Sequence, residues 1–187
     1  MRKLIASEFV SLDGVMEDPS WTFEFGSEEQ ERFKFGELTE SDALLLGRVT
    51  YEGFAAAWPG MMEQYEGPRR EGLARFTDMM NGYPKYVVSA TLEEAEWNNS
   101  TIINGNVVEE IKALKAQPGK NILIFGSADL VNSLMGHDLI DEYRLMVFPV
   151  VVGGGKRLFT EGSATKTLKL IEADSFDSGV VVLTYGP

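Results

Sequence analysis

Short apolar runs alternate along this chain with longer stretches in which apolar residues recur at helical spacing. Lys3–Ser11 (KLIASEFVS) is apolar except for a polar break at Glu8, the pattern of a largely buried strand. Leu12-Asp13-Gly14 is a turn, and Val15–Phe25 reads as an irregular segment carrying Pro19, Trp21, Phe23 and Phe25. Ser27–Leu38 predicts a helix with Ser27 as N-cap, Gln30 completing a capping box, and Glu28, Glu29 and Glu31 at its positive start. Phe33 and Leu38 are its inward positions, with Phe35 less regularly placed. Ala43–Leu46 is a short buried strand, and Val49–Ala57 a helix that ends at Trp58-Pro59-Gly60. Met61–Gly72 is polar and reads as a surface excursion before a helix over Glu71–Asn81.

Lys85–Ser89 (KYVVS) and Thr101–Ile103 are strands, and Val107–Ala116 is a helix carrying Val107, Ile111 and Leu114 on one face. Asn121–Phe125 (NILIF) is a buried strand, Gly126-Ser127-Ala128 a turn and Asp129–Met135 a helix. Asp141–Val152 reads as a long strand interrupted by Pro149. Thr167–Phe176 and Gly179–Tyr185 pair across Asp177-Ser178-Gly179. Strands alternating with helices, then a terminal hairpin, predict a three-layer α/β fold with a mostly parallel central sheet and an antiparallel hairpin at one edge. There is no linker or repeat, so residues 1–187 form a single domain. Such sheets bind ligands beyond the carboxyl ends of their strands. The turns Ser11–Val15, Gly47–Thr50, Ser89–Thr91 and Gly126–Leu130 all follow a strand and are expected to converge on one cleft.

Composition narrows the chemistry. The net charge of −12 excludes a general polyanion binder, so no nucleic-acid partner is expected, and any cation at a ligand turn counts for more. With no cysteine there is no disulfide, thiolate metal site or thiol nucleophile. A single histidine, His137 in a turn-like MGHDL, excludes a multi-histidine metal site and reads as a surface residue. The apolar run at the N-terminus is too short for a signal peptide and no stretch approaches bilayer length, so the expectation is a cytoplasmic protein without a membrane partner.

Asp42–Phe54 (DALLLGRVTYEGF) is the stretch that points to a ligand. A buried strand that stops at Gly47 and opens a helix leaves backbone N–H groups free for an anion; Arg48 adds a forked cation and Thr50 a hydroxyl. An ordinary strand–helix junction explains it equally well. Gly126-Ser127 before a helix is a second candidate anion turn, or only a turn that needs glycine. Ser89 and Thr91 could bond a phosphate or end a strand. Gly153-Gly154-Gly155-Lys156-Arg157 has no helix after it, and reads as a flexible or bulged connection. Asp13 could orient a polar ligand, act as an acid, or close its own Asp-Gly turn. The aromatics after the first strand, Trp21 among them, either cap the core or line a cleft.

SLDG after the first strand, LLLGRVTYE, KYVVSATL, and IFGSADLVNSL followed by LIDEYRLMVFPVVVGGGKRLF resemble, in that order, the reductase domain of riboflavin biosynthesis. More closely they resemble stand-alone bacterial proteins of the dihydrofolate-reductase-like superfamily. The resemblance implies NADPH bound across the sheet. Gly47, Arg48, Val49 and Thr50 would meet the adenosine phosphates, and Ser89, Ala90 and Thr91 the 2′-phosphate. Gly126, Ser127, Ala128, Asp129 and Leu130 would meet the pyrophosphate; Val10, Gly14, Val15 and Met16 would hold the nicotinamide end. It implies reduction of a small heterocycle, as by 5-amino-6-(5-phosphoribosylamino)uracil reductase. The alternatives are a nucleotide- or pterin-binding protein without turnover, or a dihydrofolate reductase-type activity. Substrate would be met around Asp13 and Trp21, and a homodimer is expected. The basic residue usual after the SLDG turn of the riboflavin reductases is here Val15, followed by Glu17 and Asp18, which argues against a phosphoribosyl substrate. Glu29 falls near the place of the folate reductases' catalytic carboxylate, so the candidate acids are Asp13 and Glu29.

Overall fold

A computed structural model describes residues 1–65, 70–162 and 165–187. The strands are β1 (Leu4–Ser11), β2 (Ser41–Gly47), β3 (Lys85–Val88), β4 (Ser100–Ile103), β5 (Asn121–Phe125), β6 (Glu142–Phe148), β7 (Lys169–Ser175) and β8 (Val181–Gly186). The helices are α1 (Glu28–Thr39), α2 (Arg48–Ala57), α3 (Met61–Gln64), α4 (Arg70–Gly82), α5 (Val107–Ala116) and α6 (Ala128–Gly136), with a 3-10 helix over Pro19–Phe25. One sheet runs β4-β3-β2-β5-β1-β6-β8-β7. Every pairing from β4 to β6 is parallel, and β8 pairs antiparallel with both β6 and β7. The expected three-layer α/β fold with an edge hairpin is therefore the one observed.

Two apolar layers hold it. On one face Leu4, Ala6 and Val10 of β1 pack with Ile111 of α5 and Val131 and Leu134 of α6. On the other, Ile5, Leu44 and Leu46 pack with Leu38 of α1, Tyr51 of α2 and Met80 of α4. Both faces of the parallel strands are covered, which is why the strands read as near-continuous apolar runs rather than as alternations. Fully buried Lys85 is satisfied by donating from Nζ to Asn81 O, Tyr83 O and Asn98 O at 2.7–2.9 Å, which ties the end of α4 to β3.

The helix-cap expectation holds in half. Gln30 N donates to Ser27 Oγ at 3.2 Å, but the Gln30 Oε1 that would close the capping box is buried with no hydrogen-bond partner among the described residues. Three segments differ from the sequence reading. The long strand expected over Asp141–Val152 is β6, which stops at Phe148: Pro149 has no N–H to continue the ladder, and Val150 O instead accepts Leu12 N. Val15–Phe25 is not wholly irregular, because Pro19 starts a 3-10 helix. The Met61–Gly72 excursion contains α3 and the start of α4; its residues 66–69 lie outside the described residues. His137 is exposed at the end of α6, as expected. Among the described residues no helix is long and apolar enough to cross a membrane.

Candidate active site

β1, β2, β3 and β5 run in parallel, so the turns after them lie along one edge of the sheet. The turns after β2 and β5 do more than share an edge. A Cβ on Gly47 would stand 2.1 Å from Ser127 Oγ, and one on Gly126 would stand 2.8 Å from Thr50 Oγ1. Glycine at both places lets the two turns nest, and brings the starts of α2 and α6 together. Gly126 (φ 68°) and Ser127 (φ 68°) are both in the left-handed region. Neither α2 nor α6 carries a side-chain cap at its N-terminus, so the first amides of both are left to another acceptor.

Arg48 and Val49 are exposed on the first turn of α2, and the Arg48 guanidinium grips both carboxylate oxygens of Glu52 at 3.0 and 2.9 Å. Ser89 is buried; its Oγ accepts Thr91 N and Leu92 N at 3.1 and 2.9 Å and so closes a turn. Ala90 and Thr91 are exposed and line an open groove of about 660 Å³ with Glu93, Ile102 and Asn104.

The turn after β1 is pinned. The Asp13 carboxylate accepts Ser11 Oγ at 2.6 Å, Val152 N at 3.1 Å and Gly153 N at 2.9 Å. The Ser11 hydroxyl and then the two amides hold its pKa down at about 2. An ionised, threefold-bonded carboxylate is the reverse of a proton donor, and its geometry is that of a staple. Ser11 Oγ also accepts Val15 N at 2.9 Å, Leu158 N donates to Gly14 O at 3.0 Å, and Met16 N to Lys156 O at 2.9 Å. The glycine-rich run 153–157 is thus a strap over the strand ends rather than a loose connection. Lys156 carries the strap on to α6 through an ion pair with Asp129 at 2.5 Å.

Trp21 is half-buried, edge-on to Phe148 with ring centroids 5.6 Å apart, and its Nε1 donates to Glu17 O. It closes the small cluster of Met146, Phe148, Val180 and Val182. Glu29 accepts Asp177 N at 2.9 Å, which fixes α1 to the β7–β8 turn beyond β6. Neither candidate acid is therefore free of partners.

The sequence reading passed over a buried polar cluster in the middle of the sheet. Lys34 Nζ donates to Ser7 Oγ at 2.7 Å and pairs with Glu37 at 2.7 Å; Ser7 Oγ donates to Glu37 at 2.9 Å, and Arg144 stands 3.6 Å from the other Glu37 oxygen. The Lys34 ammonium lies 4.2 Å from the Phe125 ring centroid. Glu8, the next residue along β1, is a second buried acid, on the opposite face of the sheet by strand alternation. It is 2% exposed, its Oε2 accepts Gly126 N at 3.0 Å, and its Oε1 has no partner among the described residues. Burial raises its pKa to about 8, against the opposing pull of Lys34 and the Gly126 amide, while Glu37 pushes it further up. The available signal was Ser7-Glu8 inside an otherwise apolar strand, with Lys34 and Glu37 spaced to share one side of α1.

The arrangement offers two anion-ready helix starts and an exposed arginine toward one side, and a buried acid whose pKa is raised by burial at the end of β5. The sequence model of the RibD C-terminal domain family matches residues 2–182. YyaP, an uncharacterized protein of Bacillus subtilis (strain 168), is 32% identical over 184 residues, spanning 98% of this chain and 94% of its own. A candidate riboflavin biosynthesis protein from Shewanella sp. PV-4 superposes with a TM-score of 0.75 at 22% identity, over 98% of each chain. Dihydrofolate reductase from Enterococcus faecalis, solved in complex with NADP(H), shares the fold with a TM-score of 0.58 at 17% identity, over 98% of this chain and 95% of that one.

Proposed function

The chain belongs to the RibD C-terminal domain family, and on that premise we propose that it is an NADPH-dependent reductase of a small heterocyclic substrate. The observation that carries the reading is the nested pair of uncapped helix starts, α2 and α6, at the ends of neighbouring strands β2 and β5. On this reading they hold the two ends of the dinucleotide's phosphates, with Arg48 and Thr50 toward the adenosine side. Ser89, Ala90 and Thr91 border the 2′-phosphate, and the groove over Thr91 and Asn104 receives the adenosine. Gly126 to Leu130 hold the pyrophosphate, and Val10 with Gly14, Val15 and Met16 the nicotinamide. The bound cofactor supplies hydride; the protein supplies position and exclusion of water.

Glu17 and Asp18 beside the first turn make a phosphoribosyl group a poor fit, so the reading favours an uncharged pyrimidine or pterin ring over 5-amino-6-(5-phosphoribosylamino)uracil. Two copies are proposed to pair through the hairpin edge, and the reaction is placed in the cytoplasm. The second reading, a nucleotide- or pterin-binding protein without turnover, is favoured by one observation: Asp13 and Glu29 are both already bonded to backbone amides. NADPH binding by fluorescence, followed by NADPH oxidation against pyrimidine, pterin and quinone substrates, separates the two. Turnover of a ring substrate is the expected result. Tight NADPH binding with no turnover selects the second reading, and absence of NADPH binding sinks both.

A further inference from the structure

The pairing of β1 with β5 ends at Ser7 and Phe125. The next donor along the chain, Gly126 N just past the end of β5, bonds to the Glu8 side chain instead of a strand carbonyl. Glu8 therefore sits where the sheet gives way to the turn that opens α6. It lies two residues before Val10 on the same strand and by parity on the same face. On the reading of the proposed function, this is between the pyrophosphate turn and the nicotinamide end.

Three features make its chemistry unusual. It is buried in the central strand of the sheet, where an isolated carboxylate is expensive. The charges that act on it are Lys34 and Glu37 of α1, which covers the opposite face of the sheet, and those two are already paired with each other at 2.7 Å. The polar contact from the β5–α6 side is the Gly126 amide, which satisfies Oε2; among the described residues Oε1 has no partner. A neutral acid with an unspent O–H is the state these surroundings favour at neutral pH, in keeping with a pKa near 8.

We propose that Glu8 is the proton store of the reduction: a neutral carboxylic acid beside the uncharged, reduced nicotinamide, and a carboxylate beside the oxidised, cationic one. Reducing a C=N or C=O bond takes one hydride and one proton. The Oε1–H bond of Glu8 breaks and, because Oε1 is buried, its proton passes through one intervening water as the N–H or O–H bond forms on the substrate atom next to the carbon that accepts hydride. Its new negative charge then faces the positive ring that hydride departure leaves, and each stabilises the other. Water returns the proton once the oxidised cofactor has left. The inference rests on the cofactor placement of the proposed function, and it fills the acid role that Asp13 and Glu29 are too engaged to fill.

The test needs no substrate. Binding of NADP⁺ and of NADPH to the full chain is measured by calorimetry from pH 6.5 to 9, in buffers of different ionisation enthalpy. If Glu8 loses its proton to solvent when the cationic ring binds beside it, NADP⁺ binding releases up to one proton and tightens about tenfold for each unit the pH rises toward 8, while NADPH shows no such slope. Titration of the 2′-phosphate affects both cofactors alike and cancels in the comparison. Glu8→Gln, the isostere of the neutral acid, should fold, bind NADPH as before and abolish the difference between the two slopes. Equal slopes for the two cofactors in the wild-type chain overturn the proposal while leaving the cofactor site standing, as does a difference that survives in Glu8→Gln. Failure of both cofactors to bind overturns the proposed function itself, and the inference with it.

Discussion

Arg48 meets the cofactor question with its guanidinium already engaged. Its contact with both Glu52 oxygens, made through Nη1 alone, joins two side chains that are each nearly half exposed, and such a pair contributes roughly 0–1 kcal/mol. It can therefore be exchanged for a phosphate at little cost. Arg48→Ala is expected to weaken NADPH about tenfold or more and NADH much less, because only NADPH has the 2′-phosphate a guanidinium can fork onto. Fluorescence titration with both dinucleotides checks this; equal losses would remove Arg48 from the 2′-phosphate. The position of Arg48 was legible in the sequence, because an apolar run that stops at Gly47 before a helical pattern puts Arg48 at the helix start. The role of Glu8 was not. One polar residue in an apolar strand says nothing about where the neighbouring strand stops, and it is the end of β5 at Phe125 that turns Glu8 toward Gly126. Asp13 was legible only as a set of alternatives, since the amides that ionise it belong to residues 152 and 153, far along the chain.

At the scale of elements, apolar periodicity located the strands and the main helices because each buries one stripe or two faces, and burial is what the pattern records. What periodicity cannot record is which turns touch. The nesting of the α2 and α6 starts depends on two missing Cβ atoms, and it predicts opposite signs for two alanines in one neighbourhood. Gly47→Ala drives a methyl into Ser127, whose Oγ would be 2.1 Å away and whose Cβ would be 2.7 Å away. It should cost about 1–3 kcal/mol in urea denaturation and loosen dinucleotide binding by parting the turns. Gly53→Ala, six residues on in the interior of α2, meets nothing within 4 Å and should instead stabilise by about 0.5–1 kcal/mol. A destabilised Gly53→Ala would mean that α2 is not seated as described. The strap over 153–157 escaped the sequence reading for a related reason. Glycines signal freedom, but here Asp13, Glu17 and Asp129 spend that freedom on fixed contacts.

At the scale of the whole molecule, the parallel core is sealed on both faces while the sheet ends on a bare edge. All seven residues of β7 are exposed, and Leu170 and Ile171 lie side by side in it at 51% and 59% exposure. An edge of this kind invites a partner unless charge or irregularity blunts it, and the break in register between Leu170 and Glu172 only partly does so. Each copy carries a net charge of −12, so two copies repel at long range. If they pair through β7, apolar burial has to overcome that repulsion. The dimer should therefore strengthen as salt screens the charge, the opposite of an interface built from ion pairs. Sedimentation velocity from low to high ionic strength is expected to show the dimer fraction rising. Ile171→Lys puts a buried ammonium into each half of the pairing and should give a monomer. Phe23→Ser removes an equally conspicuous exposed ring, at 81%, from the 3-10 helix rather than from the edge, and should leave the dimer intact. A dimer that dissolves in salt, or one that survives Ile171→Lys, would move the interface away from the β7 edge.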